Sequence, residues 1–378
     1  MPKVKLKDVV CRIKDKVDKD NTELEYYIGG EHFDNGEITI TNKGVIEGST
    51  IGPAFHMKFM PGDVLLMSRN PHLRKAAVVD FEGICSDVSY VCRTKDESVL
   101  LQRFLPFIFQ TDHFWKFAEE NKKGSTNFFL NWSDFERYEF FLPDIDKQKE
   151  LVELLWSLVD TKEAYKNLLQ KTDELVKSQF IEMFGDPIQN DMEWPVEQLS
   201  KVAPRYSPKI EVGEKVWLLN LDMVENDTGN IIEKVYVSPD EIGTSTCTFN
   251  SEMVLYSKLR PYLNKVVMPD GEGYATSELV PMLPQKNKLR KEFLAALLRG
   301  DQFLSYAVHI SSGARMPRMP VKVLKAFNCI LPPIELQDTF ITFMEQSEKS
   351  KKELKQAIES TDNLIKSILY SNLEEKKE

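Results

Sequence analysis

Leu142-Pro143-Asp144-Ile145 opens a stretch of sequence that is repeated from Leu331-Pro332-Pro333-Ile334 onward. A constant offset of 189 positions aligns the two copies without a gap, so that Thr172-Asp173 recurs as Thr361-Asp362. A repeat period this long is too large for a solenoid protein. The chain therefore contains a duplicated unit of roughly half its length, and the sequence predicts a molecule with approximate two-fold symmetry.

Within each copy, apolar and neutral residues recur at spacings that alternate between four and three. These positions are Leu151, Leu155, Leu158, Lys162, Tyr165, Leu169, Thr172, Val176 and Gln179 in the first copy, and Phe340, Met344, Ser347, Lys351, Leu354, Ile358, Thr361, Ile365 and Ile368 in the second. This 3.5-residue period predicts the seam of a coiled coil, whose polar positions fix the register at some cost in stability. The alternative is two independent amphipathic helices on separate cores.

The segment before each helix has mixed strand and helix signals. Residues 62–69 resemble residues 251–258, and both stretches continue through a proline to a lysine. Alternating apolar residues predict strands at 36–40, 138–142, 216–219 and 327–331, and helical stretches are predicted at 100–117 and 293–306. Each half of the chain is therefore expected to be an α+β domain followed by a long helix. If a two-fold axis crosses the helices, they pair antiparallel and the molecule is a dumbbell.

The composition is that of an ordinary globular protein, with 42% hydrophobic residues and a net charge of -10. Such a charge argues against binding nucleic acid by bulk charge alone, so an anionic partner would need a local basic surface. The five cysteines are scattered and form no C-x-x-C pair, which predicts reduced thiols in a cytoplasmic protein. We expect no signal peptide and no membrane span, because no apolar run is long enough.

Motifs for catalysis and for cofactor binding are absent from the sequence. There is no G-x-G-x-x-G motif after a strand, no phosphate-binding P-loop, no G-x-S-x-G elbow and no H-E-x-x-H. The five histidines do not cluster at the spacing of metal ligands. Asn70-Pro71-His72-Leu73 loosely resembles the N-P-P-aromatic motif of amino-methyltransferases, but we interpret it as a loop. The sequence therefore predicts no catalytic residue, no metal site and no cofactor on this chain.

Basic and polar loops occur at equivalent places in the two halves and are the candidate DNA-binding residues. They are Arg69, Asn70, His72, Arg74, Lys75, Lys122, Lys123, Ser125 and Asn127 in the first half, and Lys258, Arg260, Tyr262, Asn264, Lys265, Arg315 and Arg318 in the second. Arg and Lys can reach phosphates and guanine edges, and Asn can reach adenine edges. Any single loop is as well explained as a solvated surface turn. Recurrence at matched positions in an acidic protein favours DNA contact.

Three short motifs occur in a fixed order along the whole chain. They are Leu142-Pro143-Asp144-Ile145 followed by Gln148, then Phe184-Gly185-Asp186-Pro187 with Trp194-Pro195-Val196, then Leu331-Pro332-Pro333-Ile334 followed by Gln337. Their order and spacing resemble the specificity subunits of type I restriction-modification enzymes, with Asp144 in place of a second proline. The resemblance implies an α+β fold in which two target recognition domains alternate with two long helices, paired as an antiparallel coiled coil with pseudo-two-fold symmetry.

The resemblance also implies domain bounds, partners and cofactors. The target recognition domains would be residues 1–143 and 187–332, and the spacer helices residues 144–186 and 333–378. Each half would read one part of a bipartite site in double-stranded DNA, and the helices would dock two methyltransferase subunits, with a restriction subunit as a further partner. S-adenosylmethionine, ATP and Mg are expected on the partner subunits only. The alternatives are a non-catalytic coiled-coil scaffold with protein-binding end domains, and a self-contained methyltransferase or nuclease.

Overall fold

The computed structural model describes residues 2–311 and 315–373 of the chain. The chain divides into two compact units. The first unit comprises Met1–Asn167 and Lys355–Glu378, and the second comprises Leu168–Leu354. Each unit therefore combines one α+β globular part with segments of both long helices. Among the described residues, no helix is long and apolar enough to cross a bilayer.

The first unit contains three sheets and a set of short helices. Its strands are β1 (Lys3–Lys5), β2 (Val10–Ile13), β3 (Tyr26–Ile28), β4 (Gly44–Val45), β5 (Phe55–Phe59), β6 (Val64–Met67), β7 (Ala76–Val78), β8 (Gly83–Ser86), β9 (Ser89–Thr94) and β10 (Glu139–Phe141). Its short helices are α1 (Leu6–Val9), α2 (Leu105–Ile108), α3 (Asp112–Glu120) and α4 (Trp132–Phe135). The sheet orders are β2-β9-β6-β7, β4-β3-β8-β5 and β1-β10, and only β3 and β8 pair in parallel.

The second unit repeats this plan. The strands are β11 (Val196–Gln198), β12 (Val216–Leu219), β13 (Val235–Val237), β14 (Thr246–Phe249), β15 (Val254–Ser257), β16 (Val266–Val267), β17 (Gly273–Thr276), β18 (Leu279–Met282) and β19 (Asn328–Ile330). The short helices are α6 (Leu199–Val202), α7 (Lys291–Arg299), α8 (Asp301–Ser311) and α9 (Val321–Ala326). The sheet orders are β16-β15-β18, β13-β12-β17-β14 and β11-β19, with β12 and β17 parallel. The predicted duplication therefore extends to the topology of the sheets.

Strand β6 lies between two hydrophobic cores, which explains its uninterrupted apolar sequence. Successive side chains of a strand point to opposite faces. Val64 and Leu66 belong to the core that packs against the helices, whereas Leu65 lies in the core between the two larger sheets. The equivalent strand β15 divides in the same way, with Val254 in one core and Leu255 in the other. The apolar run that the sequence repeats is thus a strand buried on both faces.

Two sequence predictions about local structure need correction. Residues 36–40 do not form a strand but pair with β7 through the single parallel bridge between Thr39 and Val78. Both predicted helical stretches are divided: residues 100–117 form a 3-10 turn (Gln102–Phe104), α2 and α3, and residues 293–306 fall in two helices, Lys291–Arg299 and Asp301–Ser311, which Gly300 separates. Helix α3 begins anew because the Thr111 hydroxyl accepts a hydrogen bond from the backbone N–H of Phe114 at 3.2 Å, an N-cap.

Two helices of 40 residues each, α5 (Ile145–Phe184) and α10 (Ile334–Leu373), follow the globular parts. Each is anchored by a fully buried glutamine. The Gln148 side-chain amide donates to the carbonyls of Pro143 (2.8 Å) and Val99 (2.9 Å) and accepts from the N–H of Leu101 (3.0 Å). The equivalent bonds of Gln337 reach Pro332 O (2.8 Å), Lys288 O (3.0 Å) and Arg290 N (2.9 Å). The glutamine of the repeated motif therefore ties the start of each helix to its globular part.

The predicted seam positions of both helices are all buried or half-buried, from Leu151 to Gln179 and from Phe340 to Ile368. In the second unit, Lys351 Nζ lies 2.8 Å from Asp173 Oδ1, and the rings of Phe340 and Phe184 pack at 5.5 Å. Asp173 comes before Phe184 on α5, whereas its partner Lys351 comes after Phe340 on α10. The two helices therefore run antiparallel in this unit. The burial pattern supports the coiled-coil prediction.

Lys162 is a buried cation on the seam in the first unit. Its Nζ atom lies 2.8 Å from Asp362 Oδ1 and 3.0 Å from Glu37 Oε1. Lys166 Nζ binds the other Glu37 oxygen at 2.9 Å. Burial raises the pKa of Glu37, but the bonds from Lys166 and Lys162 outweigh it and the net pKa is lowered. Glu37 thereby links the globular part of this unit to its helices.

Candidate nucleic-acid interface

Each of the equivalent strands β6 and β15 is followed by a rigid turn of the same conformation, and these turns (residues 70–74 and 260–264) are called the matched turns. A 3-10 helix, Pro71–Leu73 or Pro261–Leu263, forms the centre of each turn. The residues on either side are left-handed, with φ of 52° at Asn70, 50° at Arg74, 50° at Arg260 and 48° at Asn264. A left-handed arginine is strained, and such strain concentrates at functional sites.

The structure brings the two predicted loops of each unit side by side. In the first unit, the N–H of Asn70 donates to Phe128 O at 2.9 Å, and the N–H of Leu130 donates to Ser68 O at 2.8 Å. In the second unit, Arg260 N donates to Pro317 O and Met319 N to Lys258 O, both at 2.8 Å. Residues 122–130 and 315–319 are therefore the flanking segments of the matched turns. Residues 312–314 of the predicted glycine loop lie outside the described residues.

Nine of the predicted contact residues present exposed side chains on these two faces. They are Arg69, His72, Lys123, Ser125 and Asn127 in the first unit, and Arg260, Tyr262, Arg315 and Arg318 in the second. Tyr262 is 49% exposed although it stands at the centre of a rigid turn. An exposed arginine can contact phosphates and base edges, and an exposed ring can make an apolar contact with a base edge in the major groove.

Lys75 and Lys265 have a structural role that the sequence does not reveal. Lys75 Nζ donates to Gly30 O at 2.6 Å, and Lys265 Nζ donates to Leu221 O at 2.6 Å. Both carbonyls belong to 3-10 turns that follow the equivalent strands β3 and β12. Burial lowers the pKa of Lys265, against an opposing effect of Asp222. Each lysine therefore braces a matched turn against the neighbouring sheet.

Several predicted contact residues, among them Lys123 and Arg318 of the exposed set, are held by partners within their own unit. Asn264 is buried and its amide donates to Arg299 O at 3.0 Å, so its side chain supports the turn. The remaining partners are carboxylates, at distances of 2.5 Å for Arg74–Asp112, 2.6 Å for Lys122–Glu119, 2.8 Å for Lys123–Asp134, 3.9 Å for Lys258–Glu278 and 3.4 Å for Arg318–Glu278. An exposed pair such as Arg74–Asp112 contributes little to stability, so a phosphate can replace that carboxylate at small cost, whereas Asp134 is buried.

Sequence reasoning missed two arginines in the sheets that lead into the matched turns, Arg12 on β2 and Arg205 in the segment after α6. Both are distant in sequence from the loops, and the offset of 189 does not align them. Only strand pairing relates them to the turns, since Arg12 lies opposite Cys92 and Arg205 opposite Met282, on the strands that pair with β6 and β15. A lone arginine in a short strand carries no signal that the sequence alone makes visible.

Metal-binding and nucleophilic groups could also form a functional site. In residues 2–311 and 315–373, no group of three His, Cys, Asp or Glu side chains lies close enough together to hold a metal ion. Burial raises the pKa of Cys85 and of Cys329 to about 12, so neither thiol is ionised near neutral pH. What the described faces offer is a set of cations, amides and aromatic groups on rigid turns.

No family model matches the sequence. A search of curated proteins finds the type I restriction enzyme EcoDI specificity subunit of Escherichia coli, 21% identical over 291 residues, which are 66% of this chain and 65% of that protein. The match thus spans a little under two thirds of the relative. Among solved structures, a chain from work on complex assembly and conformational transition of a type I R-M system aligns with a TM-score of 0.60 and 16% identity, over 97% of this chain and 96% of its own.

The S subunit of a type I restriction-modification system from M. genitalium aligns with a TM-score of 0.54 and 13% identity, over 97% of this chain and 95% of that chain. At such identities the two structures indicate a shared fold, and the E. coli protein carries the likeness in sequence. The resemblance to type I specificity subunits that the repeated motifs predict is confirmed by these findings together.

Proposed function

We infer that this chain is a specificity subunit of a type I restriction-modification enzyme, in which each unit reads one part of a bipartite site in double-stranded DNA. The observation that carries the proposal is the pair of matched turns. The same strained backbone, braced by the same lysine and bordered by a flanking segment, presents exposed cations and a ring in both units. A duplicated reading face suits a DNA site that has two parts.

The two faces differ in the side chains that they present. The first unit presents Arg69 and His72, and the second presents Arg260 and Tyr262. Arginine and asparagine discriminate between base pairs by the hydrogen bonds they make in the major groove, and phosphate contacts set the register. We therefore propose that the two parts of the DNA site differ in sequence.

The domain bounds and partners stay as the sequence predicts them. Residues 1–143 and 187–332 are proposed as target recognition domains, and residues 144–186 and 333–378 as helices that set the gap between the two parts of the site. Two methyltransferase subunits would dock on this chain, and a restriction subunit could join them. S-adenosylmethionine, ATP and Mg would bind those partners in the cytoplasm, and this chain would be non-catalytic.

The test is DNA affinity as a function of salt, measured on the full chain with fluorescently labelled random duplex DNA. A protein that neutralises several phosphates loses affinity steeply as salt rises, with a slope of about -0.9 per phosphate in a plot of log K against log salt. A steep slope supports the proposal. Methylation mapping in cells that carry the chain and its methyltransferase should then reveal a site in two parts.

One observation favours a second candidate, a scaffold whose globular parts bind other proteins. The net charge of -10 repels DNA at long range. A scaffold would bind random duplex DNA weakly at every salt concentration, and its slope would be close to zero.

Incubation of the chain alone with S-adenosylmethionine and duplex DNA tests the remaining alternative, a self-contained methyltransferase, since methyl transfer would make the chain an enzyme.

A further inference from the structure

Arg12 and Arg205 occupy equivalent places in the two units, although the sequence repeat does not align them. Arg12 lies opposite Cys92 on β9, and Cys92 lies opposite Val64 on β6. In the second unit, Arg205 lies opposite Met282 on β18. Met282 in turn lies opposite Val254 on β15, the first residue of the strand equivalent to β6. The same register thus places an arginine at the same point of the sheet that leads into each matched turn.

Arg12 is held in place without a carboxylate. Its guanidinium carbon lies 4.2 Å from the centre of the Tyr90 ring, and one terminal nitrogen reaches Asp87 O at 3.4 Å. Its Nε atom is buried with no hydrogen-bond partner. A stacked guanidinium keeps its charge and its planar orientation. The terminal N–H groups therefore retain donors that no described residue uses.

The stacked ring connects Arg12 to the predicted site. The Tyr90 hydroxyl donates to Leu130 O at 3.1 Å, and Leu130 N donates to Ser68 O at 2.8 Å. Those two residues join the first matched turn to its flanking segment. In the second unit, burial raises the pKa of Cys247, and both Arg205 and Lys258 oppose the rise. Arg205 and Lys258 therefore both act on the thiol of Cys247, on β14 of the second unit.

The distribution of unpaired arginines supports this placement. Within residues 2–311 and 315–373, six arginines have no carboxylate oxygen within 4.0 Å, namely Arg12, Arg69, Arg205, Arg260, Arg299 and Arg315. Arg299 instead donates twice to Val266 O. The other five are Arg260 in the second matched turn, Arg69 just before the first, Arg315 in a flanking segment, and Arg12 and Arg205 in the sheets that lead into the turns. These five arginines are therefore cations with no carboxylate to neutralise them in an otherwise acidic chain.

We propose that Arg12 and Arg205 are DNA phosphate contacts, one beside each matched turn, and that they hold the backbone while the turns read the bases. The proposal rests on the DNA-reading function inferred above. A guanidinium with a fixed plane and free terminal donors suits two oxygens of a phosphate. Arg12 is enclosed at Nε and stacked on Tyr90, so it lacks the reach of the exposed side chains on the turn itself.

The test uses the full chain and measures affinity over a range of salt for two DNAs, a duplex that carries the site found by methylation mapping and a random duplex. The variants are Arg12→Ala, Arg12→Lys and Arg205→Ala. Arg103→Ala is the matched control, because Arg103 also lies over a ring, Trp156, but pairs with Glu153. Each alanine variant should weaken binding to both DNAs by a similar factor and reduce the salt slope by about 1. Arg12→Lys should keep most of the slope, and Arg103→Ala should match the wild type.

The possible outcomes separate the two levels of inference. If the wild-type chain has a steep salt slope and both alanine variants share it unchanged, the phosphate assignment is wrong while the DNA-reading function stands. If a variant loses affinity for the target alone and keeps it for random DNA, the arginine reads a base and the assignment is also wrong. If the wild-type chain has no salt-dependent affinity, both inferences fail. Because Arg205 is exposed, the Arg205→Ala variant should unfold at the wild-type temperature. It therefore tests the proposal even if replacement of Arg12 disturbs folding.

Discussion

The Nζ atom of Lys162 lies 2.8 Å from the Oδ1 atom of Asp362, across the two helices of the first unit. Through the offset of 189 positions, Lys162 is equivalent to Lys351 and Asp362 to Asp173. In the second unit, Lys351 Nζ lies 2.8 Å from Asp173 Oδ1. Burial lowers the pKa of Lys351, but Asp173 and Glu348 outweigh it and the net pKa is raised. One duplicated ion pair therefore fixes the register of the helices in each unit, because a shift by one turn would leave a lysine in the seam without its carboxylate.

Replacing Lys162 with Met should destabilise the first unit. The change removes the cation that binds both Glu37 and Asp362, so that Asp362 loses this partner and Glu37 keeps only Lys166. Because both carboxylates are partly exposed, we expect a loss of about 1–3 kcal/mol in the free energy of unfolding, below the value for a fully buried pair. Urea denaturation of the full chain measures it. Lys171→Met, at an exposed position on the same helix, should change little, and equal losses in both variants would contradict the assignment.

The stabilising effect of Glu37 should depend on pH. Its pKa in the folded chain is below the ordinary value of 4.5, so its contribution is fully present above that value and is lost as the pH falls through the folded pKa. The difference in unfolding free energy between the wild type and Glu37→Gln should therefore be largest near neutral pH and shrink below about pH 4.5. Thermal unfolding at a series of pH values measures it. A difference that grows on acidification would reverse the sign and refute the argument.

Gln148→Leu and Gln337→Leu should each weaken the attachment of one helix to its globular part. Leucine leaves two carbonyls and one N–H without the partner that the buried amide supplies. Buried groups that lose their partners cost about 1–3 kcal/mol each, and partial relaxation should hold the total near 2–4 kcal/mol. Hydrogen exchange should locate the loss at residues 99–101 for the first variant and 288–290 for the second. Gln170→Leu, at an exposed helix position, is the control.

Changes in the two matched turns should affect different parts of the DNA site. Arg69→Ala with His72→Ala should relax or weaken recognition of one part, and Arg260→Ala with Tyr262→Ala should do so for the other. Loss of a base contact should cost about 1–3 kcal/mol at one position, whereas loss of a phosphate contact should weaken binding to all sequences. Methylation mapping of each variant separates these results. If each pair of changes affected both parts equally, the division of reading between the units would be wrong.

Lengthening α5 should change the gap between the two parts of the site and leave their sequences unaltered. Four residues inserted after Lys166 add about 6 Å to a helix, the length of roughly one or two base pairs. The insertion also shifts the heptad seam, so the variant should unfold at a lower temperature than the wild type. Methylation mapping gives the gap directly. Lys171→Met, with no change of length, should keep the original gap, and altered half-site sequences would argue against a spacer role.

The helices and their register could be predicted because a 3.5-residue period is a local property of the sequence. The roles of Asn264 and Lys265 could not, because the carbonyls that they bind lie 35 and 44 positions away along the chain. Residues 36–40 show the limit of alternation as a signal for strands. Their apolar pattern is real, but the pairing partner decides the conformation, and only Thr39 meets Val78 in a bridge.

The bonds that hold each matched turn against its flanking segment are made by main-chain atoms. Asn70 N binds Phe128 O, and Arg260 N binds Pro317 O, whichever side chains occupy those positions. Substitution at the exposed positions 69, 72, 260 and 262 therefore leaves the supporting frame intact. A lineage could replace the side chains of one face in a few mutational steps, and so acquire a new recognition sequence, without passing through an unfolded intermediate and without altering the opposite half of the site.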